Sequence, residues 1–188
     1  VLMHAEVDGE RLSVSEFGSF FILLAVAGNE TTRNAISHGM VQLSAHRDQY
    51  RAWQADFTGL AHNAIEEIVR YASPVIHMRR RALEDTVLAG QKIAEGDKVV
   101  MWYYSANRDE KVFDRPHEFD ILRPEAKEQV GYGAGGPHFC LGANLARREI
   151  SLMFEEIFTH LPTLEITGEP EQLVSAFING IKRVPCSF

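Results

Sequence analysis

Residues 13–46 form an unbroken stretch without proline, and no other feature limits the possible folds of this chain as strongly. Its first residues, Ser13-Val-Ser-Glu16, match a capping box, in which the serine hydroxyl and the glutamate carboxylate satisfy free amides at a helix start. We therefore expect one helix of roughly 50 Å at 1.5 Å per residue, long enough to cross a whole domain. The middle of this helix, residues 20–27, is apolar on every face, which predicts burial on all sides in a complete fold.

Two more helices are expected after the long one. The second covers about residues 60–72 and ends before Pro74, because the residue that precedes a proline disfavours helical geometry. The third runs from about residue 140 to about residue 160. Helices of these lengths would supply most of the regular structure of the chain.

Short strands and one long loop are expected around these helices. An Asp8-Gly9 turn signal predicts a turn or short hairpin over residues 3–12. Between residues 105 and 139, three prolines and four glycines predict a loop, and loops of that length usually serve a function. Apolar and β-branched segments predict strands at 75–78, 86–93 and 98–104, with further short strands in 161–188. The predicted fold class is therefore mainly α with small β-sheets.

The composition disfavours several classes of protein. The chain has 188 residues, a net charge of −7 and 45% hydrophobic residues, which fits one globular domain. Its acidic balance and lack of a basic run disfavour nucleic-acid binding, which needs clustered lysine and arginine. The apolar run at 20–27 is far shorter than the roughly 20 residues that span a bilayer. Two cysteines do not form a disulfide framework, so we expect a reducing, cytoplasmic setting.

The most informative motif is a glycine-rich loop that leads directly into Cys140. Glycines in residues 131–142 (GYGAGGPHFCLG) would let the backbone approach a flat ligand, and the start of the following helix favours a thiolate over a thiol. Cysteine thiolates of this kind hold haem iron. The residues alone leave two alternatives: a buried structural cysteine, and a phosphate-cradling loop that lacks the lysine and the serine or threonine of a P-loop.

A polar cluster interrupts the long helix at residues 27–32 (AGNETT). Glycine and threonine in a helix interior predict a local distortion, which would open a groove for oxygen and water. The acid Glu30 beside the hydroxyl of Thr31 forms a possible proton-delivery pair. The alternative is a close helix crossing through small residues, with Glu30 at the surface.

A third pattern is the pair Glu67 and Arg70, three residues apart on one face of the second helix. Taken alone, such a pair is usually solvated surface decoration. The histidines and cysteines show no His-x3-His or Cys-x2-Cys spacing, so they do not indicate a zinc site.

In this order, the cysteine loop, the acid–threonine helix and the Glu-x-x-Arg helix resemble the cytochrome P450 monooxygenases over the whole chain. The resemblance implies that residues 1–188 form a single incomplete domain, the C-terminal half of a haem-thiolate monooxygenase. The absence of a methionine at Val1 fits this expectation. The implied cofactor is haem b, with Cys140 as the axial ligand of its iron.

The resemblance also implies roles for individual residues. Thr31 and Glu30 would supply protons during oxygen activation. Glu67, Arg70 and Arg123 would form a structural triad that supports the haem-binding core. The residues expected at the haem are Cys140, His138, Arg79, Tyr132, Gly133, Gly142 and Ala27, with His138 and Arg79 at the propionates. The residues expected to line the substrate pocket are Val26, Val75, Ile76, Phe177 and Ile178. Arg147 would lie on the face where a ferredoxin docks.

The cysteine loop departs from the family pattern at one point. The family has an aromatic residue seven positions before the cysteine, followed by glycine. Here Gly133 stands at that position and Tyr132 one residue earlier, with tyrosine in place of the common phenylalanine. The loop is therefore one residue longer on its aromatic side, while His138, Gly136 and Gly142 keep their expected offsets.

Four segments narrow the resemblance to a subgroup: AGNETTRNAISHG, EEIVRYASPV, SANRDE and HFCLGANLARREI. They are similar to bacterial enzymes that hydroxylate the ends of methyl-branched lipids and the 26(27) position of steroid side chains. The implied reaction inserts one oxygen atom of O2 into an unactivated C–H bond of a hydrophobic substrate. A ferredoxin-type electron donor and a monomeric full-length protein are also implied. The alternatives are a truncated haem-binding remnant without activity and an all-helical interaction module.

Overall fold

The computed structural model describes residues 2–188, so that Val1 lies outside the described residues. The expected long helix is confirmed as α1 (Val14–Ala45). Its capping box is complete, because the Glu16 amide donates to the Ser13 hydroxyl at 3.2 Å and the Ser13 amide donates to the Glu16 carboxylate at 2.9 Å. The helix is continuous through residues 27–32, so the expected distortion there is wrong. The Thr31 hydroxyl donates to the Ala27 carbonyl at 2.7 Å without interrupting the helix.

Three further helices of more than one turn follow α1 within the described residues. They are α2 (Arg47–Ala55), α3 (Phe57–Ala72) and α5 (Ala143–His160). The sequence analysis did not predict α2, because its apolar residues are few and only Tyr50 and Trp53 are buried. The helix α3 begins earlier than expected because the Asp56 carboxylate accepts from the Gly59 amide at 3.0 Å and caps it.

The strands form five two-stranded antiparallel sheets, as expected for small sheets around a helical body. The Asp8-Gly9 turn joins β1 (Glu6–Val7) to β2 (Glu10–Arg11). The other pairs are β3 (His77–Arg81) with β6 (Lys98–Trp102), β4 (Thr86–Leu88) with β5 (Gln91–Ile93), β7 (Glu165–Ile166) with β10 (Cys186–Ser187), and β8 (Glu171–Gln172) with β9 (Ile181–Arg183).

The long loop contains two short helical turns that the sequence analysis did not predict. The helix α4 (Tyr103–Ala106) replaces the expected end of the strand at 98–104. A 3-10 helix, Pro124–Glu128, follows within residues 105–139. These elements complete a fold that is mainly α with small β-sheets, as the sequence predicts.

The core lies where the second half of α1 meets α2, α3 and α5. Its fully buried side chains include Leu43, Trp53, Ile68 and Phe154. Gly39 allows this close approach, because a Cβ there would stand 2.9 Å from Ile68 and 3.0 Å from Phe154. The tight helix packing is therefore at the C-terminal end of α1, away from residues 20–27.

The first half of α1 does not have the burial that its apolar residues predict. Phe21, Ile22, Leu23 and Val26 are each 60–65% exposed. Within residues 2–188 no element covers this face, so the burial expected in a complete fold stays a prediction. No helix of the described part of the chain is long and apolar enough to cross a membrane.

Candidate functional site

The loop that carries Cys140 has a backbone that only glycine adopts easily at three points. Gly133, Gly135 and Gly136 have φ of 90°, 99° and 77°, in the left-handed region. The Cys140 amide closes the loop by donating to the Tyr132 carbonyl at 2.9 Å. The side chain of Cys140 is exposed, and a Cβ on Gly135 or Gly136 would meet no atom within 4 Å. The loop thus presents a sulfur on an open face with little side-chain bulk, which fits the approach of a flat macrocycle.

A chain of buried polar contacts holds the base of this loop to α3. The Glu66 carboxylate lies 2.5 Å from the Arg147 Nε on α5 and accepts from the Gln129 amide at 2.8 Å. Gln129 in turn accepts from the Gly131 backbone amide at 2.6 Å. The Arg147 guanidinium also lies over the Tyr132 ring, 4.5 Å from its centroid. We call these residues (Glu66, Gln129, Gly131, Tyr132 and Arg147) the loop anchor.

The loop anchor contains residues that the sequence analysis missed or assigned differently. Glu66 and Gln129 were not predicted to have a role, although the two adjacent acids on α3, Glu66 and Glu67, were a signal for cationic partners. Arg147 was expected on the ferredoxin-docking face. The structure engages its guanidinium with the buried Glu66 carboxylate, and the docking role stays a prediction.

Tyr132 is buried in the loop anchor, and its hydroxyl has no hydrogen-bond partner within residues 2–188. Burial raises the pKa of this phenol well above its usual range, and the nearby Glu66 charge adds to the increase. Tyr132 is therefore a neutral phenol at any physiological pH, with an aromatic face against Arg147.

The predicted triad residues Glu67, Arg70 and Arg123 are brought together in the interior. Glu67 lies 2.6 Å from the Arg70 Nε and 3.3 Å from the Arg123 Nε. The remaining Arg70 donors reach the backbone carbonyls of Asn107, Pro116 and Glu118 at 2.8–2.9 Å. All five N–H groups of Arg70 are thus satisfied. The triad fixes the long loop against α3, immediately before the cysteine loop.

The predicted proton-delivery pair lies at the junction between the exposed and the buried halves of α1. The Glu30 carboxylate forms an ion pair with Arg33, with 2.5 Å between Oε2 and the guanidinium nitrogen. The sequence analysis did not single out Arg33. Its position three residues after Glu30 on the same helix face was the available signal.

The two distant segments predicted to line the substrate pocket are adjacent in the structure. Val75 and Ile178 form an isolated antiparallel bridge, and the Ile76 amide donates to the Phe177 carbonyl at 2.9 Å. We call residues 75–76 and 177–178 the pocket wall. Val26 and Ala27 lie on the exposed half of α1.

The two residues predicted at the haem propionates lie on different elements. Arg79 is in β3 opposite Val100, and His138 is in the cysteine loop. Both side chains are exposed. His77, which was not predicted, packs its half-buried ring against Trp102 and Phe177, with centroid distances of 4.9 Å and 5.9 Å.

Sequence comparisons relate this arrangement to known proteins. Residues 1–175 match the family described as Cytochrome P450. The chain is 56% identical over 187 residues to the methyl-branched lipid omega-hydroxylase of Mycobacterium tuberculosis, covering 100% of this chain and 44% of that protein. It is 52% identical over 181 residues to the steroid C26-monooxygenase of Rhodococcus jostii, covering 96% of this chain and 38% of that protein.

Solved structures show the same fold. A Mycobacterium marinum cytochrome P450 in complex with pseudoionone has a TM-score of 0.94 at 45% identity, covering 100% of this chain and 45% of that one. A Bacillus megaterium cytochrome P450 in complex with testosterone has a TM-score of 0.90 at 36% identity, covering 98% and 51%. The chain spans less than half the length of the curated relatives it matches. With its family match extending over residues 1–175, this chain belongs to the cytochrome P450 family.

Proposed function

We propose that this chain is the C-terminal half of a haem-thiolate monooxygenase. The reaction would insert one oxygen atom of O2 into an unactivated C–H bond of a hydrophobic substrate. The observation that carries the proposal is the exposed Cys140 sulfur on a glycine loop whose base is anchored to α3 and α5. The family match and the names of the curated relatives support it.

The residues of this chain fit the haem b that the family implies. Cys140 would ligate the iron, and His138 and Arg79 would reach the propionates. Tyr132, Gly133, Gly142 and Ala27 would lie around the macrocycle. When bound, a thiolate-ligated haem supplies the activation of O2 that C–H insertion requires.

The protein contributes a fixed position for the sulfur. The loop anchor connects the Cys140 loop to two helices through charged and amide groups that are largely shielded from water. Hydrogen bonds to charged groups are stronger than those between neutral groups, so this connection resists displacement of the loop. The triad holds the preceding segment in the same way.

Thr31 and Glu30 would hold and move protons. The Thr31 hydroxyl donates to the Ala27 carbonyl and still has lone pairs that can accept from a water molecule. The Glu30 carboxylate accepts hydrogen bonds, so it can hold a water molecule beside the Thr31 hydroxyl. An acid and a hydroxyl in adjacent positions thus provide a short path for protons from solvent.

The substrate that we propose is a methyl-branched lipid or a steroid side chain, oxidised at its terminal methyl group. The pocket wall is apolar, which suits such a substrate. The two curated relatives are named for reactions of this kind. We further propose a ferredoxin-type electron donor, a monomeric full-length protein and a cytoplasmic location.

The thiolate assignment can be tested by spectroscopy of the protein expressed from the complete reading frame that encodes this chain. The reduced, carbonmonoxy form should show the strongly red-shifted Soret band of thiolate-ligated haem. Cys140→Ser should abolish that band, whereas the matched variant Cys186→Ser, at the other exposed free cysteine, should retain it. Retention of the band in Cys140→Ser would show that the ligand is another residue.

The second candidate function is haem binding without monooxygenase activity, which the exposed Cys140 sulfur and its glycine loop would also fit. For the 188 residues alone, haem retention on a desalting column and product analysis together separate the two cases, because a remnant would retain haem but form no product. Product analysis with cholest-4-en-3-one and a methyl-branched fatty acid tests the substrate. Hydroxylation away from the terminal methyl groups would contradict the proposed position.

A further inference from the structure

Three side chains of α1 hold the segment 179–181 against the helix. Asn34 accepts from the Ile181 amide at 2.9 Å, and Arg33 donates to the Ile181 carbonyl at 3.0 Å. One turn further along α1, the His38 Nε2 lies 3.1 Å from the Asn179 carbonyl. Both backbone polar groups of the buried Ile181 are therefore bound by adjacent residues of one helix.

Arg33 has a second partner, the carboxylate of Glu30 at 2.5 Å. One guanidinium thus joins the predicted proton-delivery acid to the Ile181 backbone. Asn34 reinforces the same connection, because its amide donates to the Glu30 carbonyl at 2.7 Å while its oxygen holds Ile181. Such paired contacts depend on the fixed fork of an arginine, which presents several donors in one plane.

The segment 179–181 is continuous with the pocket wall. The Asn179 amide donates to the Pro74 carbonyl at 2.9 Å, and its side chain donates to the Ala72 carbonyl at 2.6 Å. The bridge between Val75 and Ile178 follows directly. A displacement of Ile178 by a bound substrate would therefore be transmitted to Ile181 through only two intervening residues.

We propose that Arg33 is a positioning residue, which fixes the Glu30 carboxylate relative to the pocket wall and makes proton supply dependent on that wall. The proposal rests on the proposed function and adds a connection between substrate contact and proton delivery. In an isolated surface ion pair, the arginine would contact only its carboxylate partner and water. Arg33 makes both contacts at once.

The test compares three variants of the haem-loaded protein expressed from its complete reading frame. Arg33→Gln removes the charge and the fork, and Arg33→Lys keeps the charge alone. Lys182→Gln is the matched control, because Lys182 adjoins Ile181 but pairs with Glu171 at 3.3 Å and does not contact Glu30. Each variant is measured for amide hydrogen exchange in peptides covering 177–183, and for hydrogen peroxide formed per electron pair consumed with substrate present.

We expect Arg33→Gln to raise amide exchange in this segment and the peroxide share by roughly two- to tenfold, the change that losing one hydrogen bond produces. Arg33→Lys should restore part of the peroxide share but little of the exchange protection. Lys182→Gln should resemble the unaltered protein in both measurements.

Two results would overturn the role of Arg33. One is an unchanged peroxide share in Arg33→Gln, with or without faster exchange. The other is an equal change in Lys182→Gln. Absence of the thiolate Soret band in the unaltered protein would instead refute the proposed function, so the two failures are distinguishable.

Discussion

Two Glu-x-x-Arg ion pairs in the described part of the chain have the same spacing and nearly the same shortest distance. Glu67 and Arg70 are 2.6 Å apart with side chains 0% exposed, and Glu30 and Arg33 are 2.5 Å apart with side chains 47% and 45% exposed. The shared spacing brings the two charges of each pair together. Burial then determines how many additional hydrogen-bond partners the pair needs. The buried arginine has all five N–H groups satisfied, whereas the exposed one leaves part of its fork to water.

The surroundings of the two pairs explain this difference. A buried charge without partners is strongly unfavourable, so the long loop supplies backbone carbonyls to Arg70 and a second arginine to Glu67. At Arg33 water solvates the charge, and the arginine also connects Glu30 with the segment 179–181. We therefore expect the buried pair to matter for stability and the exposed pair for proton supply.

The largest expected effect is at the buried pair. Arg70→Ala should destabilise the protein by about 3–5 kcal/mol, because it leaves the Glu67 carboxylate short of a partner in the interior. Urea unfolding of the haem-loaded protein measures this change. The control is Arg115→Gln, which alters an exposed arginine paired with Glu118 in the same loop and should shift the midpoint far less. Equal midpoint shifts in Arg70→Ala and Arg115→Gln would show that burial does not determine how much an ion pair contributes to stability.

An intermediate effect is expected at the loop anchor, where the side chains of Glu66 and Arg147 are 3% and 29% exposed. Glu66→Gln should cost about 1–3 kcal/mol, since the new amide places a donor against donors from Arg147 and Gln129. The variant should also release haem faster in a transfer assay to apomyoglobin. A midpoint shift as large as that of Arg70→Ala would contradict the graded dependence on burial.

His38 is a half-buried side chain of α1 without an ion pair, and it binds the same segment, 179–181, that Arg33 holds. Burial lowers the pKa of His38, and the charge of Arg108 lowers it further, against the hydrogen bond to Asn179. The unfolded chain therefore binds more protons than the folded protein just below pH 6.5, the ordinary value for histidine, and stability falls as the pH decreases from there toward the folded pKa.

His38→Gln should remove this part of the pH dependence while leaving a side chain that can donate to Asn179. Unfolding measured at several pH values between about 5 and 7 gives the comparison. If the free energy of unfolding changes equally with pH in the unaltered protein and in His38→Gln, the titration of His38 does not contribute to the pH dependence of stability.

The smallest effect on stability is expected at the exposed pair. Arg33→Gln should change the free energy of unfolding by about 0–1 kcal/mol, and added salt should reduce the change further because water and ions already screen the pair. A loss comparable to that of Arg70→Ala would show that the pair is structural.

Local features were predictable from the sequence because their causes lie within a few residues. The capping box at Ser13, the Asp8-Gly9 hairpin and the end of α3 before Pro74 all follow from adjacent side chains. The helix α2 was missed because its short, polar sequence lacks an apolar period, and tertiary contacts such as the packing of Tyr50 and Trp53 against α5 stabilise it.

Contacts between distant residues were predictable only where the family resemblance supplied them. Arg123 is 56 residues from Glu67, and no local pattern relates the two. The contact between Glu66 and Arg147 spans 81 residues and was not predicted. The burial expected for Phe21 and Ile22 in a complete fold stays a prediction, because both side chains are exposed in this structure and an apolar sequence does not show which element covers them.

The pocket wall also has a consequence for how the protein is made. The Asn179 side chain and the Ala72 carbonyl that it binds are 107 residues apart in the chain. A ribosome adding about 5–20 residues per second needs roughly 5–20 s to synthesise that interval. During this time the carbonyls of Ala72 and Pro74 have only water as partners, so the wall is among the last parts of the fold to close. Synonymous codons that slow translation between residues 80 and 176 would lengthen this interval without changing any amino acid.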